Sequence, residues 1–148
     1  KNDLSKFCDE GTVQVDELNV LHTFPQVHQL ISTVSGRLDK DIDLSKILLA
    51  TFPMGSMTGA PKKMVMELIE TFEDFKRGLF SGSIGYITPE NDFDFNVVIR
   101  SIFYNSSSKF ISIPAGSAIT YHSNEKQEYE ECLLKIEAMK QVLTSAYK

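Results

Sequence analysis

The sequence predicts an α+β fold, in which antiparallel strands and helices occupy separate stretches of the chain. Three extended segments follow one another at residues 80–88, 93–104 and 109–121, with short polar turns between them. This arrangement is typical of an antiparallel meander. The helical segments at residues 60–73 and 125–146 flank the strands and do not alternate with each of them, as the helices of a parallel βαβ sheet would.

The composition is that of an ordinary globular chain. Of its 148 residues, 42% are hydrophobic and 24% are charged, which is enough for one domain with a core. The formal net charge of -5 gives no general attraction to nucleic acid or to an anionic membrane, so an anionic substrate needs a local cluster of cations. No apolar run reaches the roughly 18 residues of a membrane span, and the N-terminus has no secretory-signal pattern.

The cysteines indicate the cellular location of the chain, and its first residue indicates whether it is part of a longer protein. Cys8 and Cys132 form neither a metal-type nor a redox-type pair, so a reducing, cytoplasmic location is expected. The chain opens at Lys1 without a methionine, which favours a fragment of a longer protein. No repeat, low-complexity tract or linker-like stretch divides it, so we predict one continuous piece.

The first third of the chain predicts short elements. Residues 1–8 resemble the end of a helix that stops before Gly11, and the alternating valines of residues 12–24 predict a strand. Residues 27–38 mix polar and apolar side chains on both faces, which predicts a strand whose two sides are both partly buried. A short helix is expected at about residues 43–51.

Each of the two longer helices carries an apolar stripe that we expect to face the core. Pro61 is acceptable only in a first turn, so the helix within residues 60–73 begins near it. Its stripe, spaced at i, i+3, i+4 and i+7, comprises Val65, Leu68, Ile69 and Phe72. The stripe of the helix at 125–146 comprises Tyr129, Cys132, Leu133 and Ile136.

The loop GSMTGAPKK, residues 55–63, has the glycines, hydroxyls and lysines of an anion site. It is not a nucleotide phosphate loop, because its first lysine is displaced, Lys63 replaces the required hydroxyl and Pro61 removes a backbone donor. Free N–H groups at a helix start and the hydroxyls of Ser56 and Thr58 still suit an anion or a hydroxyl. The alternative is a plain helix cap by Thr58, with both lysines solvated.

The last helix brings two carboxylates and a lysine to one edge. At about 100° per residue, Glu128, Glu131 and Lys135 fall within roughly 60° of one another. Carboxylates one turn apart can share Mg²⁺, while the lysine pairs with a second anionic group. When the helix is considered without other information, a simpler interpretation is favoured. In that interpretation the edge is solvated and acidic, and Glu131 and Lys135 form an ion pair.

Three further positions each have a structural alternative. The small residues PAGSA, at 114–118, predict a bulge or a close approach of backbone to a ligand, or else a tight contact between elements. Arg100 ends an apolar run within a predicted strand, where a guanidinium needs a carboxylate from a ligand or from a structural ion pair. His28, taken alone, is best interpreted as a core histidine bonded to backbone.

The order of these motifs is more specific than any one of them. TFPMGSMTGAPK, GLFSGSIGYI, FDFNVVIRSI and AGSAITYHSNEKQEYEECLLK, with KNDLS and VHQLISTVSG upstream, resemble the C-terminal part of the chorismate-utilising enzymes. That family includes anthranilate synthase component I, aminodeoxychorismate synthase component I and the isochorismate and salicylate synthases. The form FPxGSxTGAPK is most similar to the aminodeoxychorismate synthase branch, because anthranilate synthases more often have GTxSGAPK.

The resemblance implies a fold, a cofactor and a set of site residues. The fold is that of anthranilate synthase component I, with a large antiparallel sheet flanked by helices, and residues 1–148 form the C-terminal segment of its chorismate-binding catalytic domain. The cofactor is Mg²⁺, held by Glu128 and Glu131, and His28 is the catalytic histidine near the departing C4 hydroxyl. The implied substrate-binding residues are Ser56, Phe80, Arg100, Gly116, Ser117 and Lys135.

Two residues depart from the family pattern. Phe80 stands where anthranilate synthases carry a tyrosine, which weakly favours the aminodeoxychorismate synthase branch. Ala118 replaces the second glycine of the usual G-x-G and adds a Cβ atom beside the implied pocket.

The implied reaction is the Mg²⁺-dependent amination of chorismate at C4, toward para-aminobenzoate and folate, with ammonia from a glutaminase subunit or domain. No nucleic-acid or membrane partner is expected. The lysine nucleophile of this branch and a further acidic Mg²⁺ ligand would lie before Lys1. Anthranilate synthase component I, of tryptophan biosynthesis, and a catalytically incomplete fragment with only part of the site remain alternatives. We expect the chain alone to be inactive.

Overall fold

The computed structural model describes residues 1–24, 28–38 and 42–145. The chain divides into two compact units, Lys1–Lys62 and Lys63–Lys148. The first unit contains strands β1 (Gln14–Thr23) and β2 (His28–Ser35) and helix α1 (Leu44–Thr51). The second contains helix α2 (Lys62–Phe72), which begins at the boundary, then β3 (Ser83–Ile87), β4 (Phe93–Val97), β5 (Phe103–Asn105), β6 (Phe110–Ser112) and helix α3 (Glu125–Ser145).

The two strands predicted over residues 12–24 and 27–38 are confirmed as β1 and β2, and they pair antiparallel. The pairing runs from Gln14 opposite Ser35 to Thr23 opposite His28, and residue 27 of the predicted strand lies outside the described residues. The register is irregular around Glu17, and Asn19 has a left-handed backbone with φ of 52°.

The predicted helix end at residues 1–8 is a single 3-10 turn, Leu4–Lys6. It is anchored by Asp3, whose carboxylate lies 2.9 Å from Nζ of Lys6 and 2.6 Å from Nζ of Lys62. Partial burial raises the pKa of Asp3, but the hydrogen bonds and charges of the two lysines outweigh it, so the pKa lies below its ordinary value. An ion pair thus joins Lys62, the last residue of the first unit, to the N-terminal turn of the same unit.

The short helix predicted at about 43–51 is confirmed as α1. The Asp43 side chain accepts a hydrogen bond from the backbone N–H of Ser45 at 2.9 Å, which caps the helix start and lowers the pKa of Asp43. Ile47, one turn after the cap, is buried. The cap and the apolar residue together fix where the helix begins and which side it covers.

A hydrogen-bonded arginine shapes the turn after α2. The Arg77 guanidinium donates to both carboxylate oxygens of Glu73 and, at 3.2 Å, to the hydroxyl of Ser81. The hydrogen bonds to Glu73 raise the pKa of Arg77. Ser81 itself is buried with a left-handed φ of 65°, and its neighbour Phe80 is only 6% exposed. Phe80 is thus the one aromatic residue that is buried among the described residues.

The predicted meander of three long strands is wrong in its extent. The described residues form three separate two-stranded antiparallel sheets, β1–β2, β3–β4 and β5–β6, in place of one large sheet. The strand expected over 93–104 is interrupted after Val97, because Arg100 has a left-handed φ of 50°, which a pleated strand cannot accommodate. The strand expected over 109–121 ends at Ser112.

Both longer helices are confirmed in position, but their apolar stripes are not buried. Among the residues of α2, Phe72 is 75% exposed, and in α3 Tyr129 is 64% exposed. No described residue of either helix is fully buried, so the expectation that the stripes face a core within these units is wrong. The Asn124 side chain caps α3 by accepting from the N–H of Gln127 at 3.1 Å. Residue 146 of the predicted helix lies outside the described residues.

The α+β class is confirmed by antiparallel hairpins and helices that occupy separate stretches of the described chain. Within those residues, no helix is both long enough and apolar enough to cross a membrane.

Candidate chorismate and metal site

Two side-chain contacts join the edge of α3 to the segment before it, and a third lies within the edge itself. The ammonium of Lys135 lies 2.6 Å from Oε1 of Glu131 and donates to the carbonyl oxygen of Gly116 at 2.9 Å. The Ser117 hydroxyl donates to Oε2 of Glu128. Five residues that the sequence singles out are therefore brought together by contacts within the second unit.

The helix period explains why these groups share an edge. Glu128, Glu131 and Lys135 are separated by three and four residues, so successive side chains stack along one side of α3. The Asn124 cap fixes the first turn of α3. The negative charges of Glu125 and Glu128 in that turn interact favourably with the partial positive charge at the helix N-terminus. The edge is thus acidic near the helix start and becomes basic at Lys135.

The two glutamates occupy different electrostatic environments. The hydrogen bond from Lys135, together with its charge, lowers the pKa of Glu131, so this carboxylate is ionised across the neutral range. A weaker hydrogen bond from Ser117 acts in the same direction on Glu131. Glu128 accepts from the neutral hydroxyl of Ser117. The cluster of two carboxylates and one ammonium keeps a net negative charge, which favours a cation.

The donor set fits a hard divalent cation such as Mg²⁺. Magnesium takes oxygen ligands and usually only one or two protein carboxylates, with water or substrate oxygens completing its shell. Glu128 and Glu131 supply two carboxylates one turn apart on the same edge. In the part of the chain that the structure describes, no group of three or more His, Cys, Asp or Glu residues could hold a metal alone. Among the described residues, Glu128 and Glu131 would therefore be the pair of carboxylates that such a cation meets.

The buried side chain of Phe80 lies near Gly116. A Cβ atom placed on Gly116 would have the Cζ atom of Phe80 as its only neighbour within 4 Å, at 3.9 Å. Gly116 does not have a left-handed φ, so neither conformation nor the described neighbours require a glycine here. The segment lies outside any strand, so the predicted bulge within a strand is wrong. A side chain at this position would therefore meet open space on most sides.

The loop at residues 55–63 differs from the plain cap that its residues also allowed. Ser56 is exposed in a 3-10 turn, Gly55–Met57. The Thr58 hydroxyl donates to the carbonyl of Met54 at 3.1 Å, and α2 begins at Lys62, so Thr58 does not cap α2. Lys62 is paired with a carboxylate, so the expectation of two solvated lysines is wrong.

His28 is the first residue of β2 and is exposed. Its Nδ1 atom shares a hydrogen bond of 3.1 Å with the hydroxyl of Thr23, the residue opposite it in the hairpin. The interpretation as a core histidine bonded to backbone is therefore wrong. An exposed imidazole held by one hydroxyl is available to a ligand.

Arg100 lies in a bend after β4, and its side chain is exposed. The prediction that it sits within a strand is wrong, and its left-handed backbone is the cause. The first unit carries His28 and Ser56, and the second carries Phe80, Arg100 and the residues of the α3 edge.

The contact between Ser117 and Glu128 was not predicted from the sequence. The resemblance implies that Ser117 binds substrate, yet its hydroxyl donates a hydrogen bond to the carboxylate of Glu128. The sequence feature that could have indicated this contact is a serine in a small-residue segment shortly before a helix that begins with glutamates. Such a hydroxyl can orient a metal ligand.

An antiparallel α+β chain with two glutamates, a lysine and a small-residue segment at one helix edge has the features of an enzyme site for an anionic ligand. The chain belongs to the chorismate binding enzyme family, whose sequence pattern matches residues 1–141. The fold implied by the sequence motifs is thereby confirmed at the level of the family.

Known relatives agree with this membership. Over 140 residues, 95% of this chain and 33% of the relative, the sequence is 41% identical to anthranilate synthase component 1 of Saccharolobus solfataricus. Over 138 residues, 93% of this chain and 15% of the relative, it is 41% identical to the chloroplastic aminodeoxychorismate synthase of Arabidopsis thaliana. The crystal structure of anthranilate synthase component I from Streptococcus pneumoniae TIGR4 superposes with a TM-score of 0.79 at 33% identity, over 93% of this chain and 31% of that one. The chain thus spans a third or less of each relative.

Proposed function

We propose that this chain is the C-terminal segment of the catalytic domain of an aminodeoxychorismate synthase component I, which aminates chorismate at C4. The observation that carries the proposal is the contact between the acidic edge of α3 and the Gly116–Ser117 segment. Membership in the chorismate binding enzyme family supplies the substrate class. The FPxGSxTGAPK form of the loop supports the aminodeoxychorismate branch.

The α3 edge would bind the substrate in two ways, through a metal ion and through direct hydrogen bonds to carboxylate oxygens. Glu128 and Glu131 would hold Mg²⁺, which supplies Lewis-acid polarisation of the substrate carboxylate when bound. Ser117 orients the carboxylate of Glu128. Lys135 and the backbone N–H groups near Gly116 would bind carboxylate oxygens, because ammonium and amide donors make short, charge-assisted hydrogen bonds to them.

The remaining site residues have roles within each unit. Phe80 is buried, and its ring edge would lie 3.9 Å from a Cβ atom placed on Gly116, so it would border the space beside that residue. The exposed guanidinium of Arg100 would bind a carboxylate of the substrate, for which its planar fork is suited. In the first unit, the Ser56 hydroxyl would contact the substrate, and His28 would donate a proton to the departing C4 hydroxyl.

We propose a glutaminase as the source of ammonia. The relative from Saccharolobus solfataricus is named component 1 of a synthase, which supports a partner component for a protein of this family.

Anthranilate synthase component I is the second candidate. Its support is the 41% identity to the Saccharolobus solfataricus protein, which equals that to the Arabidopsis thaliana aminodeoxychorismate synthase. The two activities start from the same substrate and differ in the carbon that receives ammonia. The product therefore separates them.

The test uses the full-length protein that contains this chain, with chorismate, ammonia and Mg²⁺. Chromatography of the products is expected to give aminodeoxychorismate. Anthranilate as the product would replace the first candidate by the second, and absence of any turnover of chorismate would refute both.

Glu128→Gln and Glu131→Gln are expected to abolish the Mg²⁺-dependent turnover, because each removes a ligand charge. Glu130→Gln is the matched control, since Glu130 lies on the same helix and its described ion pair is a long one, 3.9 Å, with Lys126. Turnover that survives in both site variants would refute the metal assignment.

The chain alone is expected to bind chorismate weakly or not at all, as an incomplete site would. Calorimetric titration of the 148-residue chain with chorismate and Mg²⁺ measures this directly. Tight binding would show that the chain carries a complete site and would refute the fragment interpretation.

A further inference from the structure

Lys135 lies between two oxygen acceptors. Its Nζ atom is 2.6 Å from Oε1 of Glu131 and 2.9 Å from the carbonyl oxygen of Gly116. An ammonium has three N–H donors, so these contacts use two of them. The Lys135 side chain is 31% exposed and that of Glu131 is 51% exposed, so the pair is accessible to ions from solvent.

Glu131 therefore has two possible cationic partners, the ammonium and a metal. An oxygen that accepts a hydrogen bond from Lys135 at 2.6 Å has part of its negative charge neutralised and one side covered. We propose that Lys135 and a divalent cation compete for the carboxylate of Glu131, and that Lys135, once displaced, offers its donors to an anionic ligand. The proposal rests on the metal and anion site proposed above.

The neighbouring contacts indicate how the exchange proceeds. Glu128 accepts only a neutral hydroxyl donor among its described contacts, so its charge is available to attract a cation first. The cation then meets Glu131, whose ion pair with Lys135 is exposed and hence weak. Lys135 keeps its bond to Gly116, which holds the ammonium beside the segment where the anion is proposed to bind.

This exchange makes the two ligands reinforce each other. A cation that separates Lys135 from Glu131 prepares the ammonium for an anion, and an anion that engages Lys135 frees Glu131 for the cation. By thermodynamic reciprocity, each ligand raises the affinity for the other by the same factor. Lys135 thus acts as a positioning residue for the metal as well as a substrate contact.

The first test measures Mn²⁺ binding to the 148-residue chain by electron paramagnetic resonance of the free ion, with Mn²⁺ as the probe for Mg²⁺. Lys135→Gln is expected to tighten Mn²⁺ binding about two- to fivefold, the range set by an exposed ion pair. Lys126→Gln, which removes the same charge from the same helix, is expected to change it by less than about 1.5-fold because solvent screens that position. Unchanged or weaker binding in Lys135→Gln overturns the proposal.

The second test follows the release of Lys135 itself. The chain is acylated with an N-hydroxysuccinimide ester, and peptide mass spectrometry gives the rate at each lysine with and without Mg²⁺. The rate at Lys135 is expected to rise with Mg²⁺, while that at Lys126 stays constant and serves as the internal control. A rate at Lys135 that does not respond to Mg²⁺ overturns the proposal.

Two further variants separate this proposal from the proposed function. If Glu128→Gln and Glu131→Gln leave Mn²⁺ binding unchanged, the metal assignment fails and the competition fails with it. If they weaken Mn²⁺ binding but Lys135→Gln does not tighten it, the metal assignment stands and only the competition is refuted.

Discussion

Gly116→Ala separates ligand binding from folding at the candidate site. The added methyl would have one described neighbour within 4 Å, the Cζ atom of Phe80, at the ordinary contact distance of 3.9 Å. Because φ of Gly116 is not left-handed, alanine suits the backbone and reduces the freedom of the unfolded chain. We expect the free energy of unfolding to stay constant or to rise by about 0.4–1 kcal/mol.

Binding is expected to change in the opposite direction. The methyl would occupy the space beside the Gly116 backbone, where the proposal places a substrate carboxylate. Loss of one hydrogen bond to a charged group costs about 1.5–3 kcal/mol, which corresponds to roughly 10- to 100-fold weaker binding. Calorimetry on the full-length protein with chorismate and Mg²⁺ measures this affinity, and circular dichroism during thermal unfolding measures the stability.

Gly85→Ala is the control, because a methyl group there is expected to disrupt the local structure. Its Cβ atom would lie 2.0 Å from the carbonyl oxygen of Asp94 and 2.6 Å from the ring of Phe95, on the facing strand of the β3–β4 hairpin. The reasoning about Gly116 is refuted if Gly116→Ala lowers the melting temperature as Gly85→Ala does, or if it binds chorismate as tightly as the wild type.

Two further predictions concern stability. Asp3→Asn is expected to be less stable than the wild type at neutral pH. Because the folded-state pKa of Asp3 lies below its ordinary value of 3.8, the difference should disappear as the pH falls from 3.8 through the folded pKa, which urea denaturation at several pH values measures. Phe80→Ala is expected to lower the free energy of unfolding by about 3 kcal/mol or more, whereas Phe72→Ala, at a side chain 75% exposed, should change it by less than about 0.5 kcal/mol in the same assay.

The α3 edge could be predicted from the sequence because its geometry is local. Residues three and four apart on a helix are neighbours whatever surrounds the helix, so Glu128, Glu131 and Lys135 had to share an edge once the helix formed. The Glu131–Lys135 ion pair follows from the same spacing. The metal and substrate roles of these residues came from the order of motifs and not from the spacing.

The strand ends could not be predicted, because they depend on single backbone conformations. FDFNVVIRSIFY has the composition of one long strand, yet a left-handed arginine at position 100 divides it into β4 and β5. No side-chain pattern announces that conformation, which is rare for arginine. The same limitation applies to the segment after Ser112, whose small residues are compatible with both strand and loop.

The periodicity of α2 and α3 indicated which face is apolar but not what covers it. A stripe at i, i+3 and i+4 is the same whether it packs within its own unit or against another surface, so Phe72 and Tyr129 gave no warning of their exposure. The periodicity of the apolar residues therefore predicted the positions of the helices correctly but predicted more burial than they have.

The different surroundings of the two glutamates suggest why the proposed site would combine both of them with a lysine. Two unpaired carboxylates one turn apart repel each other, which raises the free energy of the helix edge before any ligand binds. Lys135 reduces this repulsion by pairing with Glu131, and Ser117 stabilises Glu128 without cancelling its charge. A helix edge built in this way is stable without a bound ligand yet keeps one full negative charge to attract a cation. Because the stabilising partner is itself a cation on the same edge, the proposed competition would make the group that a metal displaces the group that an anionic substrate would contact.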